Sequence, residues 1–196
     1  KGCNVWDLEN KKYLDMSLMS VGTNILGYSN SSVDNAVIKT IKKSNMSSLN
    51  CSEEVHLSEK LIEMHKHFDM VKYARTGGEA NAIAIRIARA ASGRDKVAIC
   101  GYHGWHDWYL SANLNNKDSN GVLKDHLLPG LSTVGVPDNL KNTVYPFKFN
   151  DYKALEKICS QNKIGVIKME IFRNIPPKNN FLEKVRKLAS KKKIIL

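Results

Sequence analysis

Four cysteines are spread over 196 residues, at Cys3, Cys51, Cys100 and Cys159. Their spacings of 48, 49 and 59 contain no Cys-x-x-Cys. That argues against a zinc finger or ribbon and against a disulfide framework, and leads to the expectation of a reducing, cytoplasmic compartment. No apolar run approaches the roughly 18 residues that a membrane helix needs, so no membrane partner is expected. Gly-x-Gly-x-x-Gly, a Walker loop and a Gly-x-Ser-x-Gly elbow are all missing. A dinucleotide would therefore lack its usual fingerprint, and a hydrolase its nucleophile turn. No pair of carboxylates at suggestive spacing supports glycosidase-type acid/base work. Hydrophobic residues at 42% and charged residues at 25% exclude collagen, coiled coil and low-complexity disorder, and leave a globular chain.

The charge that is present is lopsided. The formal net charge is +11, with +3 in residues 1–100 and +8 in residues 101–196. Much of the excess lies in Lys178, Lys184, Arg186, Lys187 and Lys191 to Lys193, against Glu183. A nucleic-acid patch is one reading. Aromatic residues do not interleave with the basic positions, apart from Phe181 on the core side. A solvated helix face is therefore expected, with no nucleic-acid partner.

Hydrophobic periodicity divides the chain into elements. Val5–Leu8 and Lys12–Met16 flank a Glu9-Asn10-Lys11 turn and read as a hairpin. Helices are expected over 32–43 and 52–67. A short strand is expected over Val71–Ala74. A Thr76-Gly77-Gly78-Glu79 turn, a strong helix over Ala80–Ala91 and a strand over Lys96–Cys100 follow. This strand–turn–helix–strand unit belongs to a doubly wound α/β sheet. Residues 101–150 read as a long irregular connection. Then come a helix over Asp151–Cys159, a strand over Ile164–Met169, a helix over about 179–190 after Pro176-Pro177, and a last strand opening near Lys193. The chain starts on Lys1 rather than Met and closes on what reads as the opening of a buried strand, which leads to the expectation of a fragment. The domain division expected is 1–69, a hairpin and helical lead-in, and 70–196, an α/β domain.

Three clusters carry candidate chemistry. In the first, Thr76 can cap the helix, with Glu79 completing a capping box. The same geometry lets Gly77 and Gly78 bring free N–H groups close to an anion, for which a single phosphate is the better guess. The second is Gly101-Tyr102-His103-Gly104-Trp105-His106-Asp107-Trp108, which begins where a strand stops, the end of an open α/β sheet at which ligands bind. Tyr102 or Trp105 can stack on a flat ring. His103 and His106 lack a third partner in any metal pattern, so no metal site is expected. The third is Glu170 at the carboxyl end of strand 164–169, placed to orient a ring oxygen, a water or a substrate amine, or simply solvated. Cys100 reads as a core thiol.

Taken in order, these residues resemble the class III, fold type I, pyridoxal-phosphate-dependent aminotransferases, in their glutamate-1-semialdehyde 2,1-aminomutase-like branch. Val5-Trp6-Asp7 with Tyr13-Leu14-Asp15 is similar to the family's "V-W-D … Y-I-D", and Leu26-Gly27-Tyr28 to its "L-G-H". Thr76-Gly77-Gly78-Glu79-Ala80-Asn81 resembles the "S-G-T-E-A" phosphate loop. Ala84–Arg89 with Gly93-Arg94 resembles "A-I-R-L-A-R … G-R", and Tyr102-His103-Gly104 resembles "Y-H-G". Leu131–Pro137 resembles the loop before the family's "P-Y-N-D", which here reads Phe147-Lys148-Phe149-Asn150-Asp151.

The resemblance implies a three-layer α/β/α large domain with a mostly parallel sheet, here truncated and preceded by part of a smaller α+β domain. It implies pyridoxal 5'-phosphate as cofactor, a small-molecule amino donor, a carbonyl acceptor and a homodimer. Gly77 and Gly78 would give N–H groups to the cofactor phosphate and Thr76 would shape that turn. Tyr102 would stack on the ring with His103 beside it, and Glu170 would sit near the phenolic side. Gly78 stands where the family has Thr, Trp105 where "Y-H-G-H-A-D" is usual, and Ile171 where "V-E-P" has Pro. The family's ring-nitrogen Asp and Schiff-base Lys fall beyond Leu196, so no catalytic side chain is assigned within the chain, and these residues alone are expected to be inactive. The reactions implied are intermolecular amino transfer or, as the alternative, the intramolecular aminomutase shift. A cofactor-fold protein without catalysis is a third reading.

Overall fold

The computed structural model describes residues 1–43, 48–114, 131–172 and 174–196. The chain divides into two compact units, Lys1–Val71 and Lys72–Leu196.

In the first unit β1 (Asn4–Trp6) pairs antiparallel with β2 (Lys12–Leu14), Val5 opposite Tyr13. Asp7 organises the turn. Its Oδ1 accepts from the Glu9 and Lys11 amides at 3.1 and 2.8 Å, and its Oδ2 accepts from the Tyr13 hydroxyl at 2.8 Å. The Lys11 amide and then the Tyr13 hydroxyl hold the Asp7 carboxyl below the usual carboxylate range. Asp15 accepts from the Tyr28 hydroxyl at 2.6 Å, and Gly2 bridges Tyr28. The short helix α1 (Met19–Gly22) leads to α2 (Ser31–Lys42), which Asn30 caps through the Ser32 and Val33 amides. The next helix, α3 (Ser52–Met64), opens with the Glu54 carboxylate accepting from the Cys51 amide and ends three residues earlier than expected, where His65 leaves helical geometry (φ −122, ψ 69). None of the residues 1–19, 22–43 and 48–71 is buried.

The second unit is a three-layer sandwich. α4 (Gly77–Ser92) ends on left-handed Gly93 and returns to β3 (Lys96–Cys100). The next elements are α5 (Asp107–Leu110), a 3-10 turn over Ser111–Asn113, β4 (Val144–Pro146), α6 (Tyr152–Gln161), β5 (Ile164–Met169) and α7 (Phe181–Lys192). The sheet order is β4-β3-β5 and both pairings are parallel. Strand alternation sorts the core. Val97 and Ile99 pack with Ile85, Trp108, Val144 and Val166 on the α4 face, and Ala98 and Cys100 with Leu155, Phe181 and Val185 on the α6–α7 face. Cys100 is a core thiol. The basic residues Lys184, Arg186 and Lys187 lie on the outward side of α7, opposite Phe181, Val185, Leu188 and Ala189. No helix among the described residues is long and apolar enough to cross a membrane.

The structure corrects the element map in further places. α4 begins at Gly77 rather than Ala80, so the Gly77–Glu79 part of the expected turn is its first turn. Residues 71–74 form no strand. Both edges of β3 are taken by β4 and β5, and no described strand offers 71–74 a ladder. Within the stretch read as irregular, α5, the turn after it and β4 are ordered. Trp108, Tyr109, Leu110 and Ala112 are buried there, so this segment is partly core. α7 begins two residues late because Asn179 and Asn180 hold left-handed geometry (φ 52 and 54) before Phe181. The last strand starts later than Lys193, which is itself left-handed. Ile195 makes the single bridge, parallel to Val166.

Arg94 ties these layers together. Its guanidinium donates to the Ile164 and Lys192 carbonyls at 3.0 and 3.2 Å, joining the start of β5 to the end of α7. At the same corner a Cβ on Gly165 would lie 2.6 Å from Arg94 Cβ, 2.6 Å from Ser92 Oγ and 2.9 Å from the Arg94 carbonyl. Two of those obstacles belong to backbone or Cβ and cannot swing away. Gly165→Ala is expected to cost about 2 kcal/mol, read as a lower urea midpoint at unchanged slope; a wild-type midpoint would contradict this packing. In the hairpin, a carboxyl depressed in the folded state contributes stability above its unfolded pKa that is lost as pH falls through the folded value. Acid below about pH 4 is therefore expected to loosen β1–β2, followed by Trp6 fluorescence, and Asp7→Asn to flatten that acid dependence.

Candidate functional site

The site is built where the amino end of α4 meets the carboxyl ends of β3 and β5. Thr76 caps α4 as the sequence indicates. Its Oγ1 accepts from the Glu79 amide at 3.1 Å and its carbonyl from the Ala80 amide at 3.0 Å. The Glu79 carboxylate reaches one residue further back than a capping box requires and accepts from the Arg75 amide at 2.8 Å. The amides of Gly77 and Gly78 are left without a partner among the described residues. Nothing lies within 4 Å of where a Gly77 Cβ would be, whereas the His106 imidazole lies 2.9 Å from where a Gly78 Cβ would be; both donors stand at the positive end of a 16-residue helix.

The loop after β3 is docked onto that helix end. Asn81 Nδ2 donates to the His103 carbonyl at 3.2 Å. Gly104 passes so close that a Cβ on it would lie 3.0 Å from Gly78 Cα, and its φ of +104 is itself a glycine conformation. Tyr102 is half-buried and meets Tyr109 edge to face, ring centroids 6.0 Å apart. The Tyr109 hydroxyl donates to the Gly101 carbonyl at 3.2 Å. His103 is 4% exposed, with Nε2 3.0 Å from the Cys100 carbonyl. That contact requires the proton on Nε2. Its ring lies stacked near Trp108 and edge-on to Tyr109. His103 thus anchors the loop from below while its own carbonyl is held by α4.

Glu170 leaves β5 with its amide on the Cys100 carbonyl at 3.3 Å. Its carboxyl lies against Gly101, where a Cβ would come within 2.7 Å of Cδ and 2.8 Å of Oε2. The chain therefore brings Thr76, Gly77, Gly78, Tyr102 and His103 to one end of α4, and Glu170 to the neighbouring strand end. Ile171, in the position where the family has proline, is exposed.

Two neighbours were not singled out for this site from the sequence. Lys168 precedes Glu170 on the same face of β5. Burial pushes its ammonium pKa down, and the Glu170 charge opposes that shift. A lone lysine inside the apolar run Ile164–Met169 was the available signal. From the sequence His106 reads as a metal ligand or as a histidine packed against a backbone carbonyl, yet its imidazole lies over Gly78 and stacks on Trp105, centroids 5.0 Å apart at 24°. Trp105 is thus engaged with a histidine in this structure. Among the described residues no group of three or more His, Cys, Asp or Glu is arranged to hold a metal.

A family model described as "Aminotransferase class-III" matches residues 1–196. A 3-aminobutyryl-CoA aminotransferase of Cloacimonas acidaminovorans is 33% identical over 97% of this chain and 43% of its own length. A glutamate-1-semialdehyde 2,1-aminomutase of Thermoplasma volcanium is 33% identical over 97% of this chain and 45% of its own length. Among solved structures, an omega-transaminase from Sphaerobacter thermophilus superposes with a TM-score of 0.82 at 22% identity, covering 99% of this chain and 45% of that one. A glutamate-1-semialdehyde aminomutase from Pseudomonas aeruginosa PAO1 superposes at 0.76 with 24% identity, covering 98% and 42%. The chain thus spans less than half the length of these relatives, and the fold of its described residues is theirs.

The docking of the Tyr102–Gly104 loop depends on one side-chain bond. Asn81→Ala is expected to lower stability by about 1 kcal/mol and to speed amide exchange across residues 101–104 while β3 stays protected. Unchanged exchange in that loop would show that the Gly78–Gly104 contact alone holds it.

Proposed function

Because the chain belongs to the class-III aminotransferase family, we propose that it supplies the cofactor-binding part of a pyridoxal-phosphate-dependent enzyme that moves an amino group from a small amino compound to a carbonyl acceptor. The observation that carries this reading is the pair of Gly77 and Gly78 amides without a partner among the described residues, at the start of α4 with the Tyr102–Gly104 loop docked beside them. The residues fit the group the family uses. Two backbone donors at a helix amino terminus suit a phosphate dianion, and a half-buried tyrosine beside them suits a flat ring.

Bound here, pyridoxal phosphate supplies an electron sink for cleavage at the amine-bearing carbon. The chain's own residues hold and orient. Gly77 and Gly78 donate to phosphate oxygens, and Thr76 fixes the turn that aims them. Tyr102 stacks on the ring, and its edge contact with Tyr109 limits its swing. His103 holds the loop at the height of the β3 end. Glu170 presents carboxylate oxygens on the phenolic side, where they can orient a ring oxygen, a water or the substrate amine. Residues 70–196 are assigned to the cofactor-binding large domain, and residues 1–69 to the lead-in and part of the smaller domain.

The family's ring-nitrogen Asp and Schiff-base Lys lie in the part of the relatives that these residues do not span. Amino transfer by the 196 residues alone is therefore expected to be undetectable. The whole protein is proposed to be a homodimer. In the first unit Trp6, Leu14, Leu26, Ile41 and Phe68 are each exposed, which is in keeping with cover by a second copy. Four free thiols, two of them buried, are in keeping with a reducing, cytoplasmic setting. An aminomutase is the second reading, favoured by relatives of that name at 28–33% identity. Trp105 in place of the aminomutase pattern favours intermolecular transfer.

Tyr102→Ala is expected to weaken pyridoxal phosphate binding roughly three- to tenfold in a fluorescence titration, with inorganic phosphate competing equally well before and after the change. A titration in which the protein takes up no pyridoxal phosphate would sink the cofactor reading. For the reaction, incubation with an amine and a keto acid separates the alternatives. Nitrogen recovered in the keto acid marks transfer, and nitrogen kept on glutamate 1-semialdehyde carbons marks the mutase.

A further inference from the structure

Position 78 is glycine where the resembling phosphate loop carries threonine, and the structure shows what fills the space. A Cβ on Gly78 would lie 2.9 Å from His106 Cδ2 and 3.0 Å from His106 Nε2. The Cδ2–Nε2 edge of the imidazole therefore occupies the volume that any side chain at 78 would need. From another direction Gly104 closes to 3.0 Å of Gly78 Cα by the same measure, so the two glycines and the imidazole form one close-packed contact at the first turn of α4. The His106 ring is half-buried, and no described residue is hydrogen-bonded to either of its nitrogens. Its plane is set by the stack on Trp105, which is 66% exposed and buries little of itself in doing so. His106 is also the residue before α5, with its carbonyl accepting from the Tyr109 and Leu110 amides, so its backbone is fixed by the buried segment that follows.

We propose that the His106 imidazole donates from Nε2 to a phosphate oxygen of the cofactor, replacing across the loop the hydroxyl contact that glycine at 78 gives up. Trp105 acts as the positioning residue that holds the ring over Gly78. The inference rests on the cofactor reading above. It joins two departures from the family pattern, Gly78 for Thr and Trp105 in the residue pair after Tyr-His-Gly, into one exchange. The imidazole can stand over the helix start only where residue 78 has no side chain, and it needs a flat partner because nothing else among the described residues grips its nitrogens. The chemistry is that of an N–H donor on a phosphate dianion beside two backbone donors, a charge-assisted bond of the stronger kind.

The test compares pyridoxal phosphate with pyridoxal, which has the same ring and no phosphate, by fluorescence titration of the protein and its variants. 31P NMR of the bound phosphate gives a second readout independent of turnover. His106→Ala is expected to weaken pyridoxal phosphate about tenfold, to leave pyridoxal unchanged and to shift the phosphorus resonance. His106→Gln, which keeps an N–H donor at similar reach, is expected to recover most of the loss and guards against a variant that misfolds. Trp105→Ala is expected to cost about threefold, again on the phosphorylated ligand only. The double variant Gly78→Thr with His106→Ala is expected to regain affinity, because a hydroxyl returns to the loop once the imidazole is gone. Wild-type affinity for pyridoxal phosphate in His106→Ala would overturn the proposal while leaving the cofactor reading intact. Equal losses of pyridoxal and pyridoxal phosphate would overturn it as well, since the ring would then be serving only packing. If the unaltered protein failed to distinguish the two ligands, the phosphate-loop reading itself would fall, and this inference with it.

Discussion

The close approach of Gly104 to Gly78, with a Cβ-to-Cα clearance of 3.0 Å, is the contact on which the site depends. It presses the loop after β3 onto the first turn of α4, closer than a side chain at 104 would comfortably allow. The bond from Asn81 to the His103 carbonyl reinforces it from one turn up the helix. Because the loop sits this close, Tyr102 flanks the helix start, and the space beside Gly77 stays open. A methyl group at Gly104 would push the loop away and separate the flat surface from the anion-attracting donors, whereas one at Gly78 would meet the His106 ring.

Below that contact, the aromatic residues of the loop divide between core and surface. His103, Trp108 and Tyr109 are buried and brace one another. Their burial anchors the loop to β3 through the His103 bond to the Cys100 carbonyl and the Tyr109 bond to the Gly101 carbonyl. Trp105 and His106 remain outside that core and pair with each other over Gly78. A short sequence dense in aromatics thus does two jobs, and the division follows from the turn of α5, which rotates Trp108 and Tyr109 inward while Trp105 stays out.

The electrostatics of the site do not come from the strongly basic stretch of the sequence. Lys184, Arg186 and Lys187 of α7 point away from the core, on the far face of the sheet from α4. At the site itself the positive potential is that of the α4 amino terminus. The charged side chains on that face, Glu170 and the partly desolvated Lys168, belong to the end of β5 instead. Local dipoles focused by a docked loop act more strongly on a small anion than a solvated run of charge screened by salt.

Much of this was legible in the sequence, because local rules decide it. Thr76 caps α4, Asp151 caps α6 through the Ala154 amide, and the apolar run Ile164–Met169 is a strand with the bounds its pattern indicates. The order of glycine, aromatic and acidic residues pointed to the place where the start of α4 meets the ends of β3 and β5, and Gly77, Gly78, Tyr102 and Glu170 lie there. Other features depended on partners distant in sequence. Residues 71–74 have strand character but no described neighbour to pair with, whereas Val144–Pro146 is short and ends in proline, yet becomes a strand because the edge of β3 accepts it. That His103 is an anchor, that Trp108 is core and that His106 stands over Gly78 were decided by tertiary packing. Periodicity reports which side of an element is apolar, while only the folded chain determines which atom fills the space a missing side chain leaves.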